Sequence, residues 1–194
     1  MDEFDKMRFI ALLYLCNSTR EVDLLRFDWS KAFSIERDET LVDIGTYCLM
    51  DNHFHIIIRQ RLEKGISKFM QKLSTAYTMY FNTKYERSGA LFQGRFKARH
   101  VADDRYMQQL FAYVHLNPLG LIDKDWKKGV SSKSEAAAIK HLMGYKESSL
   151  PDYLSDTKPR PEEAILNREV FPNHHLDSGD FLDFLFAHYQ KDPE

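Results

Sequence analysis

The feature that most constrains the fold is an apolar run that leads into two histidines and continues beyond them. Residues 41–60 read LVDIGTYCLMDNHFHIIIRQ, and the three isoleucines after the histidines favour a strand. Because side chains alternate between the faces of a strand, His53 and His55 share one face while Phe54 points to the other. The pattern predicts two imidazoles placed to bind one metal ion, with Phe54 anchored in a core. The plainer alternative is two unrelated histidines at the start of a strand.

A second pattern lies in residues 106–118, which read YMQQLFAYVHLNP. Tyr113 and Asn117 are four residues apart, so on a helix they lie one above the other on the same face. Pro118 is expected to end that helix, because the residue before a proline is disfavoured in the α region. A phenol and an amide oxygen on one face suggest a nucleophile beside a third metal ligand. Alternatively, Tyr113 continues a core stripe. His115 lies about 160° from Asn117 around a helix and is not assigned to the metal.

A third pattern is a basic stretch that alternates with apolar residues. Residues 91–101 read LFQGRFKARHV, which predicts a strand with Arg95, Lys97 and Arg99 on one face. The formal net charge of −2 argues mildly against a general nucleic-acid binder, but no acid occurs between residues 87 and 100. A charged strand face is either solvated or in contact with phosphates, and both interpretations stay open on the pattern alone.

The rest of the chain predicts an α+β protein. Cys16 and Cys48 sit in apolar segments without metal-binding spacing and are interpreted as reduced core residues. The predicted elements are a helix over 2–17, strands over 41–49 and 53–60, helices over 66–82 and from 103–104 to 117, later helices over 135–144 and 179–190, and an extended linker over 155–163.

These patterns together resemble a known family, the HUH-type endonucleases, named for His-hydrophobe-His. YCLMDNHFHIII, the helix ISKFMQKLSTAYTMYFN, the segment SGALFQGRFKARHV and the helix end YVHLNP are similar to the single-tyrosine transposases, including the REP-associated group. The resemblance covers about residues 1–120. It implies an αβ sandwich of the HUH/ferredoxin-like type, an antiparallel sheet with helices packed on it, followed by a mostly helical C-terminal extension over 121–194. These transposases usually begin with a strand ahead of the first helix. In this sequence the predicted helix over 2–17 comes first. We therefore expect that strand to be missing and one position of the sheet to be unpaired.

The resemblance also implies a chemistry. Tyr113 would attack a phosphodiester of single-stranded, hairpin-forming DNA and form a 5′-phosphotyrosine beside a free 3′-hydroxyl. His53, His55 and Asn117 would hold a Mg²⁺ or Mn²⁺ ion against the scissile phosphate. We expect a cytoplasmic, nucleoid-associated protein with no membrane partner that could work as a homodimer.

Further cations are candidates for contact with the DNA backbone. The resemblance places Arg95, Lys97 and Arg99 beside the metal and the tyrosine helix. Other candidates are Arg59, which shares the histidine face if the strand stays in register, and two lysines on the outward face of the helix over 66–82, Lys68 and Lys72. The same lysines could instead be simply solvated.

Two other functional classes remain open at this point. The chain could be a catalytically silent, domesticated DNA-binding protein, which a missing first strand would favour and an intact Tyr113 would oppose. It could also be a metal-dependent phosphoesterase that uses only His53 and His55, with water as the nucleophile. A covalent protein–DNA adduct separates the three, since only the transposase forms one.

Overall fold

The computed structural model describes residues 1–21, 23, 27–126, 135–154, 158–171 and 176–188. Its helices and strands are α1 (Glu3–Leu15), β1 (Val42–Leu49), β2 (Phe54–Gln60), α2 (Gly65–Lys84), α3 (Asp104–Leu116), α4 (Glu135–Gly144), α5 (Leu150–Tyr153) and α6 (Ser178–His188). Short 3₁₀ turns lie at Trp29–Lys31, Asn117–Leu121, Pro161–Ile165 and Arg168–Val170. The α+β class is confirmed. Within the described residues, no helix combines the length and apolarity that a membrane crossing requires.

The strands β1 and β2 form an antiparallel hairpin that separates two cores. On one face, Phe54 and the two isoleucines on its side of β2 pack against α1 and α2. The ring of Phe54 lies 4.9 Å from that of Phe9 in α1, and Phe9 in turn meets Tyr77 of α2 edge-on at 5.0 Å. Alternation along β2 therefore places Phe54 in the core, as its position between the histidines predicts.

The other face of the hairpin supports a second core that the C-terminal elements share. Side chains from β1 and β2 join apolar residues of α3, α4, α5 and α6 in one buried cluster, including Cys48, Ile57, Phe111, Leu116, Leu142, Leu150, Phe181 and Leu185. The division at residue 120 stays a prediction, but the apolar core is continuous across it. The hairpin is thus a central layer between α1/α2 and α3 with the C-terminal helices.

A hydrogen-bonded carboxylate fastens α1 to the end of α2. The side chain of Asp2 caps α1 by accepting a hydrogen bond from the backbone N–H of Asp5 at 2.9 Å. The side chain of Asp5 accepts one from the backbone N–H of Asp2 at 2.8 Å. The buried carboxylate of Asp5 also accepts from the hydroxyls of Tyr80 (2.9 Å) and Tyr85 (2.7 Å) and from Lys84 (2.7 Å). Burial alone would raise the pKa of Asp5, but these hydrogen bonds hold it well below its usual value.

The outer edge of β1 is occupied by later parts of the chain. The contacts are Leu49 N to Glu147 O (2.9 Å), Ser149 N to Tyr47 O (3.0 Å), Asn167 N to Ile44 O (2.9 Å), and Leu41 N and Val42 N to Asn17 Oδ1 (3.0 Å each). An edge whose amides and carbonyls already have partners is protected from pairing with another strand. On its other edge β2 has no strand partner within the described residues, so the expected unpaired sheet position stays a prediction.

The predicted strand over 91–101 is wrong. Leu91 and Phe92 are half-buried against the α1/α2 core, and residues 93–100 run exposed without pairing to a strand among the described residues. Gly94 adopts φ 141°, a conformation that glycine reaches without strain and that interrupts an extended strand. Without a neighbouring strand, alternation of charge and apolar character cannot by itself create a sheet.

The predicted extended linker over 155–163 is wrong only in its last three residues, because Arg160 is extended and the 3₁₀ turn begins at Pro161. Residues 155–157 lie outside the described residues, and Pro161–Ile165 forms a 3₁₀ turn that buries Ile165 in the α1/α2 core. Proline suits the first position of such a turn, because its missing N–H has no partner there in any case. The last predicted helix is α6, whose predicted residues 189–190 lie outside the described part of the chain.

Candidate functional site

The two histidines lie where the chain enters β2. His53 directly precedes the strand and His55 is its second residue, and their ring centroids are 5.0 Å apart with the planes nearly perpendicular. Nδ1 of His53 lies 2.7 Å from Oδ1 of Asn52. An amide oxygen can only accept, so Nδ1 of His53 donates and its Nε2 is the ring nitrogen that could bind a metal ion.

The separation of the two rings suits a shared ion. The ring centroids are 5.0 Å apart. If one ion lay about 2.1 Å from a nitrogen of each ring, the angle between the two rings at the ion would be about 100°, which is close to tetrahedral and octahedral angles. No three His, Cys, Asp or Glu side chains cluster as a metal site within the described residues. The predicted metal ligands are of another kind, because the third one is the amide oxygen of Asn117.

Helix α3 places Tyr113 against the histidines. Asp103 begins the helix by accepting a hydrogen bond from the backbone of Tyr106 at 2.8 Å, in agreement with the predicted helix start. The half-buried ring of Tyr113 meets that of His55 edge-on at 5.3 Å. Asn117 follows one turn later as the C-cap of α3 and the first residue of the next 3₁₀ turn, and it is 6% exposed. The structure therefore brings His53, His55 and Tyr113 together, with Asn117 directly after the helix of Tyr113.

Trp126 is part of this arrangement, although no spacing in the sequence predicts it. Its indole is 4% exposed and stacks on the ring of Tyr113, with centroids 6.1 Å apart and an interplanar angle of 26°. The ring of Tyr113 is thus contacted by both His55 and Trp126. A tryptophan in a Lys/Ser-rich stretch is an unusual residue there, but only the tertiary structure shows what it contacts.

His115 belongs to the core and not to the site. It is fully buried and packs edge-on against Phe111, Tyr153 and Phe181 at 4.9–5.5 Å. Burial in these aromatic surroundings lowers the pKa of His115 to about 3, so the imidazole is neutral at physiological pH. This agrees with its position on the helical wheel, away from Asn117.

Four of the predicted DNA contacts lie on the surface. Lys68 is exposed on α2, and Arg95, Lys97 and Arg99 are exposed in the segment that leads to α3. Arg99 donates from Nη1 to the hydroxyl of Tyr106 at 3.0 Å, which ties the end of this segment to the helix of Tyr113. The end of the basic segment is thus attached to α3 through Arg99, and no strand positions the segment.

The other two predicted DNA contacts are engaged within the protein. Arg59 donates from Nε and Nη2 to Oδ2 of the buried Asp43 at 2.9 and 2.8 Å. Lys72 donates to the carbonyl oxygens of Ser18 (2.6 Å) and Arg20 (3.0 Å), just after α1. Both cations therefore have structural roles, and their contact with DNA stays a prediction.

Comparison with known proteins matches residues 26–117 to the family model described as "Transposase IS200 like". The matched stretch contains β1, β2, α2 and α3, and with them His53, His55, Tyr113 and Asn117. Trp126 lies beyond it. No curated protein and no solved structure matches the chain.

Proposed function

From the match of residues 26–117 to the IS200-like transposase family, we propose that the chain is a member of this family and that it cleaves and rejoins single-stranded DNA through Tyr113. The observation that carries the proposal is the contact of the Tyr113 ring with His55, 5.3 Å between centroids, beside the second histidine. A half-buried phenol next to two potential metal ligands is the arrangement that covalent phosphoryl transfer to tyrosine requires.

The chemical step follows from the residues present. The hydroxyl oxygen of Tyr113 attacks the scissile phosphorus, an O–P bond forms, and the bond from phosphorus to the 3′-oxygen of the preceding nucleotide breaks. The phenolic proton is lost and the departing 3′-oxygen gains one, which leaves a 5′-phosphotyrosine and a free 3′-hydroxyl. Rejoining reverses the step with another 3′-hydroxyl. One phosphodiester replaces another, so no ATP is consumed.

The metal ligands in this proposal are His53, His55 and Asn117. Two imidazoles and an amide oxygen form a mixed nitrogen and oxygen set that suits Mn²⁺ and also serves Mg²⁺. When bound, the divalent ion would supply positive charge to the scissile phosphate and favour the phenolate. The hydrogen bond that Nδ1 of His53 donates to Oδ1 of Asn52 fixes the ring orientation of His53 for this role.

The substrate in this proposal is single-stranded DNA with a foldback hairpin. The exposed Arg95, Lys97 and Arg99 lie in the segment that precedes α3. Phosphates bound by these residues would therefore lie near the N-terminal end of the Tyr113 helix. Membership of the REP-associated group, work as a homodimer and association with the nucleoid belong to the same proposal.

Two observations favour the tyrosine mechanism over the alternatives. A phosphoesterase that uses water needs a base beside the histidines, and the side chain against His55 is a phenol. A silent DNA-binding protein has no need of a nucleophile, whereas Tyr113 is present and its ring contacts both His55 and Trp126.

The test is transfer of labelled single-stranded DNA onto the protein in Mn²⁺, with oligonucleotides taken from sequences that flank its gene. Because the 5′-phosphate becomes attached to tyrosine, a 3′-end label should move with the protein on a denaturing gel. A 5′-end label should appear on a shorter free fragment. Chelation by EDTA should stop both.

The decisive variant is Tyr113→Phe, which keeps the ring and removes the attacking oxygen. It should fold, bind DNA and metal, and form no adduct, whereas the control variants Tyr77→Phe and Tyr106→Phe should still form it. Labelling of Tyr113→Phe would overturn the assignment of the nucleophile. Cleavage without any adduct in wild type would indicate the phosphoesterase, and binding without cleavage the silent protein.

A further inference from the structure

Trp126 reaches Tyr113 through a tight turn that follows α3. Asp123 N donates to Leu119 O at 2.9 Å, and Trp126 N donates to Asp123 O at 3.3 Å, so the chain folds back on the helix end. Gly120 lies directly beneath the indole: a Cβ at this position would come within 3.1 Å of Nε1 of Trp126. The absence of a side chain at residue 120 therefore leaves the space that the indole occupies.

Helix α3 fixes the backbone of Tyr113 but not the direction of its hydroxyl. Rotation about the first side-chain torsion would sweep the oxygen through a wide arc, whereas rotation about the second leaves it in place, because the oxygen lies on that axis. Attack in line with the leaving 3′-oxygen uses only a small part of the arc. His55 touches the ring edge-on, whereas Trp126 lies nearly parallel to it, 26° between planes. A buried indole stacked on the face of the phenol blocks the swing of the whole ring toward that side.

We propose that Trp126 is a positioning residue for Tyr113, which holds the phenol ring against His55 in the orientation for in-line attack. Trp126 touches neither DNA nor metal in this role and acts through the tyrosine. The inference rests on the proposed function. It extends the working site beyond residues 26–117 into the part of the chain that the family match does not cover.

The kinetic test measures single-turnover adduct formation at saturating DNA. Trp126→Ala should slow this step by about 100-fold, the size of effect that a displacement of about 1 Å can have. Affinity for DNA should not change, because Trp126 acts after binding. Trp126→Phe, which keeps an aromatic face, should recover most of the rate. Gly120→Ala should slow the step by less than Trp126→Ala, since its Cβ would shift the indole by a few tenths of an ångström.

The matched control is Trp29→Ala. Trp29 packs on Phe27 with centroids 5.2 Å apart and lies beneath Arg8, on the α1/α2 side of the hairpin. Trp29→Ala removes the same side chain as Trp126→Ala. Its rate of adduct formation at saturating DNA should match that of wild type at a temperature where both proteins are folded.

A second readout needs neither DNA nor metal. In protein labelled with 3-fluorotyrosine, the ¹⁹F line that disappears in Tyr113→Phe belongs to Tyr113. Stacking on Trp126 should displace this line by the ring current of the indole. In Trp126→Ala the line should move toward the position of solvated tyrosine, and in Trp126→Phe it should lie between.

The outcomes separate the two claims. If wild type forms an adduct and Trp126→Ala forms it as fast, the positioning role is wrong and the proposed function stands. The same holds if the ¹⁹F line of Tyr113 does not move in Trp126→Ala. A rate lost equally in Trp126→Phe and Trp29→Ala would show a general effect on folding and overturn the inference. If wild type forms no adduct with any DNA, both claims fall.

Discussion

The two faces of β2 differ in what their side chains do, although neighbouring residues supply them. Toward α1 and α2 the strand presents Phe54 and apolar neighbours, which close a core. Toward α3 it presents His55, with the buried Ile57 beyond it, and His55 meets Tyr113. One step along the strand thus separates a residue that stabilises the fold from a residue placed for chemistry. The first face anchors the second, because a strand held by Phe54 cannot rotate its histidines away.

The cores on the two sides of the hairpin also differ in the hydrogen bonding of their buried titratable groups. Beside α1 and α2, the carboxylate of Asp5 accepts hydrogen bonds from two tyrosines and a lysine. Beside α3, neither nitrogen of His115 has a hydrogen-bond partner within the described residues. A carboxylate that is paired can stay charged when buried, whereas an imidazole among aromatic rings must stay neutral. Acid should therefore act on the two cores by different routes.

The largest expected effect on stability comes from the α1/α2 side. Phe69 of α2 is fully buried in that core, and Phe69→Ala should lower the free energy of unfolding by about 3–5 kcal/mol. Tyr113→Phe, on the site side, should change it by much less, because the ring and its packing remain. Urea unfolding followed by far-UV circular dichroism measures both. A larger loss in Tyr113→Phe than in Phe69→Ala would contradict the division between the faces.

The sequence predicts the hairpin and α3 well because their signals are local. Alternation after His53 gives β2, capping residues such as Asp103 mark helix starts, and the interval of four places Tyr113 and Asn117 on one face of α3. Each of these signals acts over a few residues, so it survives without knowledge of the tertiary structure. The α+β class follows from them.

The rest of the site side depends on contacts between distant parts of the chain. The pairing of Leu49 with Glu147 and the stacking of Trp126 on Tyr113 leave no periodic signal in the sequence. The predicted strand over 91–101 fails for the related reason that a strand needs a partner. The pairing of Arg59 with Asp43 is likewise unpredicted, because it depends on the register of β1 against β2.

Removal of the two histidines should affect metal binding and leave the α1/α2 side intact. The double variant His53→Ala, His55→Ala is expected to weaken Mn²⁺ binding by more than about 100-fold, because two of three ligands are lost. Isothermal calorimetry measures the affinity, and urea unfolding checks that the core survives. His100→Ala, an exposed histidine outside the pair, is the control. Unchanged Mn²⁺ affinity in the double variant would show that the metal site is elsewhere.

The exposed basic segment links the two sides, since it starts at Phe92 in the α1/α2 core and ends at α3. Changing Arg95, Lys97 and Arg99 together to Gln should weaken DNA binding similarly for all sequences. It should also flatten the slope of log K against log salt by about 2, the loss of three phosphate contacts on a single strand. Lys31→Gln, an exposed lysine beside Asp28, is the control. An unchanged slope in the triple variant would place the DNA on another surface.

The smallest expected effect concerns His115 and appears only in acid. The pKa of His115 is lowered from 6.5 to about 3 in the folded protein, so below pH 6.5 the unfolded chain binds a proton that the folded chain does not. Stability is therefore lost as the pH falls through this window, by about 2 kcal/mol at pH 5. His115→Leu should remove this loss, so its stability relative to wild type should rise by that amount between pH 7.5 and pH 5.

Urea unfolding at the two pH values measures the difference, and the contribution of Asp5 cancels because both proteins contain it. Val114→Ala, an uncharged core change on the same helix, should lower stability equally at both pH values. If His115→Leu behaves like Val114→Ala, then the imidazole gains its proton without unfolding, and the core beside α3 admits water or rearranges around the charge. Such a result would make the two sides of the hairpin differ in plasticity as well as in chemistry, because the apolar packing of Phe69 offers no comparable route.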